Sequence, residues 1–415
     1  MNKLDILSNM DNPGELEKMY RDNRAAFKKA FLSLYPELTG NKLAAFWYER
    51  LNYEGREISW GSSTELLFVV FLSLIAGFIA KIPDWFNLND ELFYQRNAGF
   101  IVFPLLTAYF SWRKKISIKK MTLAVLVFLT AVIFVNLLPA DPESDTLVLT
   151  CIHLPLFLWA VLGFIFVGDH TKNHPERLAF LRYNGDMVIM TTLILIAGVL
   201  LSGITIGLFS VIGFSIEKFY FDHIGLIGLA ASPIIGTYVT QTNPQLVNKV
   251  SPVIARLFSP LVLLMLVVYL AAILYSGKDP YNDRDFLVIF NLLLVGVMAI
   301  ILFDIAETTG KSRDRAGSFI LLALSLVTVI VNGIALSAIL FRISSWGFTP
   351  NRLAVLGSNL LMLLNLLLIT FRLAKNVTRG TGLKEAEATI SAFLPVYIAW
   401  TIIVTFIFPL LFHFG

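Results

Sequence analysis

The sequence predicts an all-α fold: a polytopic transmembrane helical bundle of about 11 spans, with a small N-terminal cytoplasmic helical segment. Three observations predict it. Apolar stretches recur at 64–82, 98–112, 120–139, 146–167, 187–213, 224–241, 257–276, 286–305, 317–341, 353–373 and 390–413. Most approach the ~20 residues a helix needs to cross hydrocarbon, and the second is the shortest. Only 15% of the 415 residues are charged and 56% are hydrophobic, with mean hydropathy +0.73; a water-soluble domain carries about 25% charged residues. Finally, the basic residues gather in alternate loops. A soluble α/β protein with buried parallel strands would instead show apolar runs of about 4–8 residues.

Residues 1–62 differ from 63–415, which read as one helical bundle. The first part carries both charge signs. Asn12 is placed to cap a helix with Pro13 at its first position and Glu15 and Glu17 in the first turn. Leu16, Tyr20, Phe27, Phe31 and Leu34 follow helical spacing, and Pro36 ends that helix. A second amphipathic segment has Leu43, Phe46, Trp47 and Leu51. The expectation is a two-helix hairpin, too small to bury a stable core, that docks on the membrane part, lies in the headgroups or binds a cytoplasmic protein partner.

The loops predict an orientation. Arg113, Lys114, Lys115, Lys119 and Lys120 fill one; Lys172, Arg177 and Arg182, Lys249 and Arg256, Lys311, Arg313 and Arg315, and Arg372, Lys375, Arg379 and Lys384 fill the others on the same side. Opposite loops hold Asp141, Glu143 and Asp145, or Asp279, Asp283 and Asp285. Basic loops stay cytoplasmic, so the N-terminus is expected inside and the C-terminus outside. This placement also argues against nucleic acid as the partner of a chain with net charge +4; the partner is the lipid bilayer. No stretch reads as a cleavable signal peptide, and the apolar stretch from residue 64 is expected to act as an uncleaved first anchor. The one cysteine, Cys151, excludes an intrachain disulfide and reads as a small buried apolar residue.

Small residues dominate the fifth and sixth stretches: Gly198, Ser202 and Thr205 on one face with Gly203 and Gly207 four apart, then Gly225, Gly228, Ser232, Gly236 and Thr240. They allow close helix approach where no hydrophobic force drives association. Pro233 removes a helical hydrogen bond and frees the carbonyl of residue 229, which must find another donor, often in a cavity. A mobile or broken helix pair lining such a cavity is the functional reading; ordinary packing is the other.

Ser318, Ser325 and Asn332 recur every seven residues, with Thr328 near their face; Ser358, Asn365 and Arg372 repeat the pattern on the next stretch. Seven residues are nearly two turns, so each trio forms a polar line. Two facing lines are expected either to hydrogen-bond across the helices or to line a path for a ligand. Ionisable groups at membrane depth point to function, and here they are few. His153 precedes Pro155 by two residues, and Asp304 is followed by Glu307 one turn later. Asp304 is read as an ion-pair partner of Lys311 or Arg256, or as a proton carrier; His153 is read as structural. The scarcity argues against a proton pump.

Chemistry-bearing motifs are missing. Gly310-Lys311-Ser312 resembles the end of a phosphate loop, but Ile305 stands where the first glycine is required. No zinc helix or Gly-x-Ser-x-Gly elbow occurs, and the 279–285 loop lacks the glycine and distal glutamate of a calcium hand. No catalytic residue, metal or cofactor is expected.

Trp346-Gly347-Phe348-Thr349-Pro350-Asn351-Arg352 reads as a helix start: Gly347 permits a turn, Thr349 caps, Pro350 takes the first position, and Arg352 sits at the outer interface. The segment resembles the Tyr-Gly-Leu-Thr-x-x-Arg signature of a widespread set of bacterial inner-membrane proteins catalogued as a domain of unknown function and sometimes labelled permeases. Gly347, Thr349 and Arg352 carry the likeness; Trp346 and Phe348 replace the usual tyrosine and leucine. The resemblance covers mainly the second half of the chain and implies a multi-pass protein of the bacterial inner membrane.

These readings give two functional expectations. One is a permease-like carrier of a small or lipid-like molecule, with Ser232, Pro233, Asp304, Asn332, Arg352, Asn365 and His153 as candidate functional or cavity-lining residues. The other is a non-transporting membrane scaffold or sensor whose cytoplasmic N-terminal helices bind a partner.

Overall fold

Side-chain caps at Asn12, Asn41, Ser62, Asn89, Ser144 and Thr349 set six of the helix starts in the computed structural model. It describes residues 3–22, 24–38, 40–53, 61–141, 144–168, 174–211, 215–244, 259–268, 270–271, 281, 284–307, 315–379 and 383–414. Helices dominate, and no strand occurs among the described residues. The chain divides into two units, Met1–Gly61 and Ser62–Gly415.

The first unit contains α1 (Lys3–Ser8), α2 (Pro13–Asp22), α3 (Arg24–Leu34), a 3-10 turn (Tyr35–Leu38) and α4 (Lys42–Tyr53). Asn12 Oδ1 accepts from the Glu15 amide, and Asn41 Oδ1 accepts from the Leu43 and Ala44 amides, so α2 and α4 start on side-chain caps. The expected two-helix hairpin is instead four helices with a core of their own. Ile6, Met10, Leu16, Tyr20, Phe27, Phe31, Leu34, Ala44, Trp47 and Leu51 are buried together. Trp47 is the centre: its ring lies 5.6 Å from Tyr20 and 5.1 Å from Phe27. Arg50 covers its face at 4.6 Å and pairs with Glu17 at 2.8 Å. The sequence reading missed α1 and therefore the Ile6 and Met10 contribution.

In the second unit, α5 (Ser63–Ala80), the short α6 (Ile82–Phe86), α7 (Asp90–Arg113), α8 (Ile118–Leu137), α9 (Asp145–Val167) and α10 (His174–Val211) come first. Next are α11 (Glu217–Thr242), α12 (Ser259–Val268), α13 (Arg284–Glu307), α14 (Arg315–Trp346), α15 (Pro350–Arg379) and α16 (Leu383–Leu411). Eight of these, namely α5, α8, α9, α10, α11, α14, α15 and α16, contain a segment long and apolar enough to cross a membrane. The expected 98–112 stretch is the inner part of α7, a 24-residue helix whose charged residues, Arg96 among them, lower its hydropathy. The stretches at 257–276 and 286–305 correspond to the shorter apolar helices Ser259–Val268 and Phe290–Ala306. The expected basic loop at 168–186 is largely helix. α10 begins at His174 and runs 38 residues, about 57 Å at 1.5 Å per residue, so Arg177 and Arg182 are helical.

Two apolar cores form within this unit. One gathers α5, α7, α8 and α9 with parts of α10 and α11; the other gathers α12 to α16 with Leu178 of α10. Leu149 of α9 packs with Ala354, Val404 and Phe408 and joins α9 to α15 and α16.

Hydrogen bonds place the loops at two ends of α9. Lys114 Nζ donates to Phe166 O and Lys120 Nζ to Gly168 O, beside the Glu65–Arg113 pair at the start of α5. At the other end of α9, Ser144 Oγ donates to Phe414 O at 3.0 Å. The first residues of α5 and the last described residues therefore sit at opposite ends of a 23-residue helix, about 34 Å apart along its axis.

Candidate functional site

Helix-interior prolines organise much of the polar chemistry. A proline leaves the carbonyl four residues earlier without its helical donor. Pro233 does this to Leu229, and the neighbouring Ser232 Oγ donates to Leu229 O at 2.8 Å. The helix continues through it to Thr242. The donor expected from a cavity is thus the adjacent hydroxyl, and Ser232 is 1% exposed with its proton already used. Pro395 does the same to Ser391, whose carbonyl accepts from Arg177 Nη1 at 2.9 Å. Pro409 does it to Thr405, whose carbonyl accepts from Thr150 Oγ1 at 3.1 Å. There α16 carries a π-helical turn, Ile403–Ile407.

The small-residue stripes separate into packed and open parts. A Cβ on Gly236 would lie 2.4 Å from Thr191 Oγ1 and 3.2 Å from its backbone nitrogen, so α10 and α11 touch closely there. Thr237 meets Tyr183 across the same contact, hydroxyl to hydroxyl at 2.8 Å. Gly198, Gly203 and Gly228 face open space.

The two polar lines run along α14 and α15, which pack extensively as an antiparallel pair. They do not simply bond to each other. Ser325 and Thr328 donate to their own helix, at Leu322 O and Leu324 O. Ser358 accepts from Trp400 Nε1 at 2.9 Å and Asn365 Nδ2 donates to Tyr397 OH at 2.9 Å, both on α16. Asn359 Nδ2 donates to Asn291 of α13 at 2.9 Å. Arg372 leaves its line to pair with Glu385. Across α14 and α15, Asn376 Nδ2 donates to Ser318 Oγ at 3.4 Å and sets the register.

Asn332 is the exception. Its side chain is fully buried, and neither its Oδ1 nor its Nδ2 has a partner. Asn365 Oδ1 and Thr370 Oγ1 are also buried and unpartnered. From the Ser318–Asn376 register, Asn332 lies level with Met362, less than one turn from Asn365 along the helix axes. Asn332 is near the middle of α14, about 21 Å from its Trp346 end. An unpaired buried amide costs about 1–3 kcal/mol. Asn332, Asn365 and Thr370 are uncharged groups with donor and acceptor capacity.

Asp304, 2% exposed, accepts from Ser259 Oγ at 2.7 Å. Arg182 donates through Nε and Nη2 to Ala306 O at 3.2 and 2.6 Å, closing the end of α13. The expected partners Lys311 and Arg256 lie outside the described residues, as does the side chain of Glu307. His153 contacts Leu149 O of its own helix through Nδ1 at 2.9 Å. Cys151 is buried.

The 346–352 segment is a self-locked corner. Gly347 has φ +76°, where a side chain is strained. Thr349 Oγ1 accepts from the Arg352 amide at 3.3 Å, the expected cap. Arg352 Nη1 turns back to donate to Trp346 O at 2.8 Å and Gly347 O at 2.7 Å. Its charge thus covers the negative end of α14.

Two buried clusters were missed in the sequence. Arg96, 6% exposed, donates to Asn136 O, Leu138 O and Pro139 O at 3.2, 3.0 and 3.1 Å, while Asn97 and Asn136 exchange amide hydrogen bonds. Glu65 accepts from Tyr109 OH at 2.8 Å and pairs with Arg113, which donates to Gln241 O at 2.9 Å. The signal for Arg96 was the shortness of the 98–112 stretch, which starts just after it. Among the described residues no group of three or more His, Cys, Asp and Glu side chains could hold a metal ion. No family model matches the chain, nor does any curated protein or solved structure.

Proposed function

We propose that the chain is a permease-like carrier of a small uncharged or lipid-like molecule in the bacterial inner membrane. One observation carries this reading: Asn332, fully buried at mid-helix with both amide atoms unpartnered, less than one turn from the buried, unpartnered Oδ1 of Asn365. A side chain left unpaired at a cost in stability serves best where a ligand completes it. Counting α7, α12 and α13 as crossings brings the total to 11. The opposite placement of Glu65 and Phe414 relative to α9 supports an odd number. The N-terminal unit is then cytoplasmic and the C-terminus outside, with Lys114, Lys120, Arg177 and Arg372 on the inner side. The Gly347–Arg352 resemblance supports the bacterial assignment. The scaffold or sensor alternative draws on the first unit, which has its own core and exposes Phe46.

Asn332→Cys in a Cys151→Ala chain tests the carrier. A water-soluble, membrane-impermeant thiol reagent should modify it from at least one face of sealed vesicles. Inertness from both faces would make Asn332 a sealed core residue and remove the support for transport.

A further inference from the structure

A crevice opens between α9, α10 and α16, lined by none of the residues of the Asn332 site and independent of the carrier reading. Trp159, Ala160, Gly163, Phe164, Phe180 and Pro395 are among its walls, and its volume is about 150 Å³. Its lining is apolar apart from Arg177. The shape follows from the sequence. Gly163 lacks the side chain that Phe180 would meet at 2.8 Å, so α9 and α10 close tightly at one point, while Ala160 leaves the neighbouring turn shallow. Pro395 frees the Ser391 carbonyl, and that carbonyl draws Arg177 to the crevice rim.

Two cationic side chains mark the crevice: Arg177 in its lining and Lys120, 5.3 Å from the ring of Phe164. Lys114 stands nearby, 3.8 Å from the ring of Phe166, which is not one of the walls. The carboxylate facing this group from α10 is Glu176, 4.0 Å from Lys114. Burial holds the Lys114 ammonium below its usual range, and Glu176 opposes that shift. An apolar slot between helices, rimmed by Arg and Lys, matches an acyl chain joined to an anionic headgroup. A guanidinium carries five N–H donors in a fork, so Arg177 can hold the Ser391 carbonyl and a phosphate oxygen together.

We infer that the α9–α10–α16 crevice is a binding site for one anionic phospholipid, its acyl chain against Trp159, Phe164 and Pro395 and its phosphate at Arg177. Inorganic phosphate alone lacks the chain that fills the slot, and a zwitterionic lipid lacks the net charge.

The test uses the purified full chain in detergent micelles titrated with phosphatidylglycerol or phosphatidylcholine bearing the same brominated acyl chains, with tryptophan fluorescence as the readout. Bromine quenches a tryptophan it touches. Phosphatidylglycerol should quench at several-fold lower mole fraction than phosphatidylcholine. Trp159→Phe should remove that extra component. Arg177→Gln should abolish the headgroup preference, and inorganic phosphate should not compete. Equal quenching by the two lipids, an undiminished component in Trp159→Phe, or displacement by inorganic phosphate would overturn the assignment. The headgroup comparison on the unmodified chain decides the matter even if Arg177→Gln does not fold.

Discussion

Arg177 donates through Nη1 to the backbone carbonyl of Ser391 at 2.9 Å, the carbonyl that Pro395 leaves without a helical donor. A residue on α10 thereby completes a defect on α16, more than two hundred positions away. The coupling is measurable. Arg177→Ala should lower stability by about 1–3 kcal/mol, the cost of a buried unpaired group. In a Pro395→Ala background the helix supplies its own N–H, and the loss should shrink. Thermal unfolding of the single and double variants in detergent gives the interaction energy; additive effects would disprove the coupling.

Ser232 and Pro233 repeat the arrangement within one helix. Ser232→Ala should destabilise the chain by about 1–3 kcal/mol, and Pro233→Ala should rescue it. Unfolding midpoints of the two variants and their combination check this. No rescue would mean that Ser232 matters for packing rather than for the Leu229 carbonyl.

Asn332→Leu separates a ligand site from a structural amide. Replacing an unpaired buried amide by an apolar group of similar size should raise stability by about 1–3 kcal/mol. A falling unfolding midpoint would show that the Asn332 amide is paired and structural.

The N-terminal unit should respond to acid through Glu17. Its hydrogen bond from Arg21, aided by Arg50, holds the carboxyl below the usual carboxylate range. A depressed folded-state value contributes stability above the unfolded-state value and loses it as pH falls through the folded one. Acid titration of this unit, followed in the full chain by near-ultraviolet circular dichroism, should show a decline below about pH 4. Glu17→Gln should remove that part of the decline and leave a less stable unit at neutral pH.

Legibility in the sequence followed the range of each interaction. Hydropathy runs revealed most helices because each run is local. The caps at Asn12 and Thr349 and the turn at Gly347 were equally readable, since each involves neighbours within a few residues. α7 was read too short because Arg96 and Asn97 interrupt its apolar pattern while finding partners on α8. α10 was read too late because its first turns carry Arg177 and Arg182, which look like loop residues until Ser391 and Ala306 are known to receive them. The polar lines were visible, but their partners Trp400, Tyr397 and Asn291 lie on other helices at spacings no local pattern reveals. Pro233 announced an orphaned carbonyl, but its donor was expected in a cavity, whereas Ser232 beside it supplies the proton. Arg177 for Pro395 and Thr150 for Pro409 required the fold.

The most direct measurement is the sidedness of the two ends of the helical unit. In a Cys151→Ala chain, single cysteines at Ser62 and at His413 are exposed to an impermeant thiol reagent in sealed vesicles of known orientation. The account predicts labelling from opposite faces, Ser62→Cys from the cytoplasmic face and His413→Cys from the outer one. Labelling of both from the same face would contradict an odd number of crossings and the arrangement built upon it.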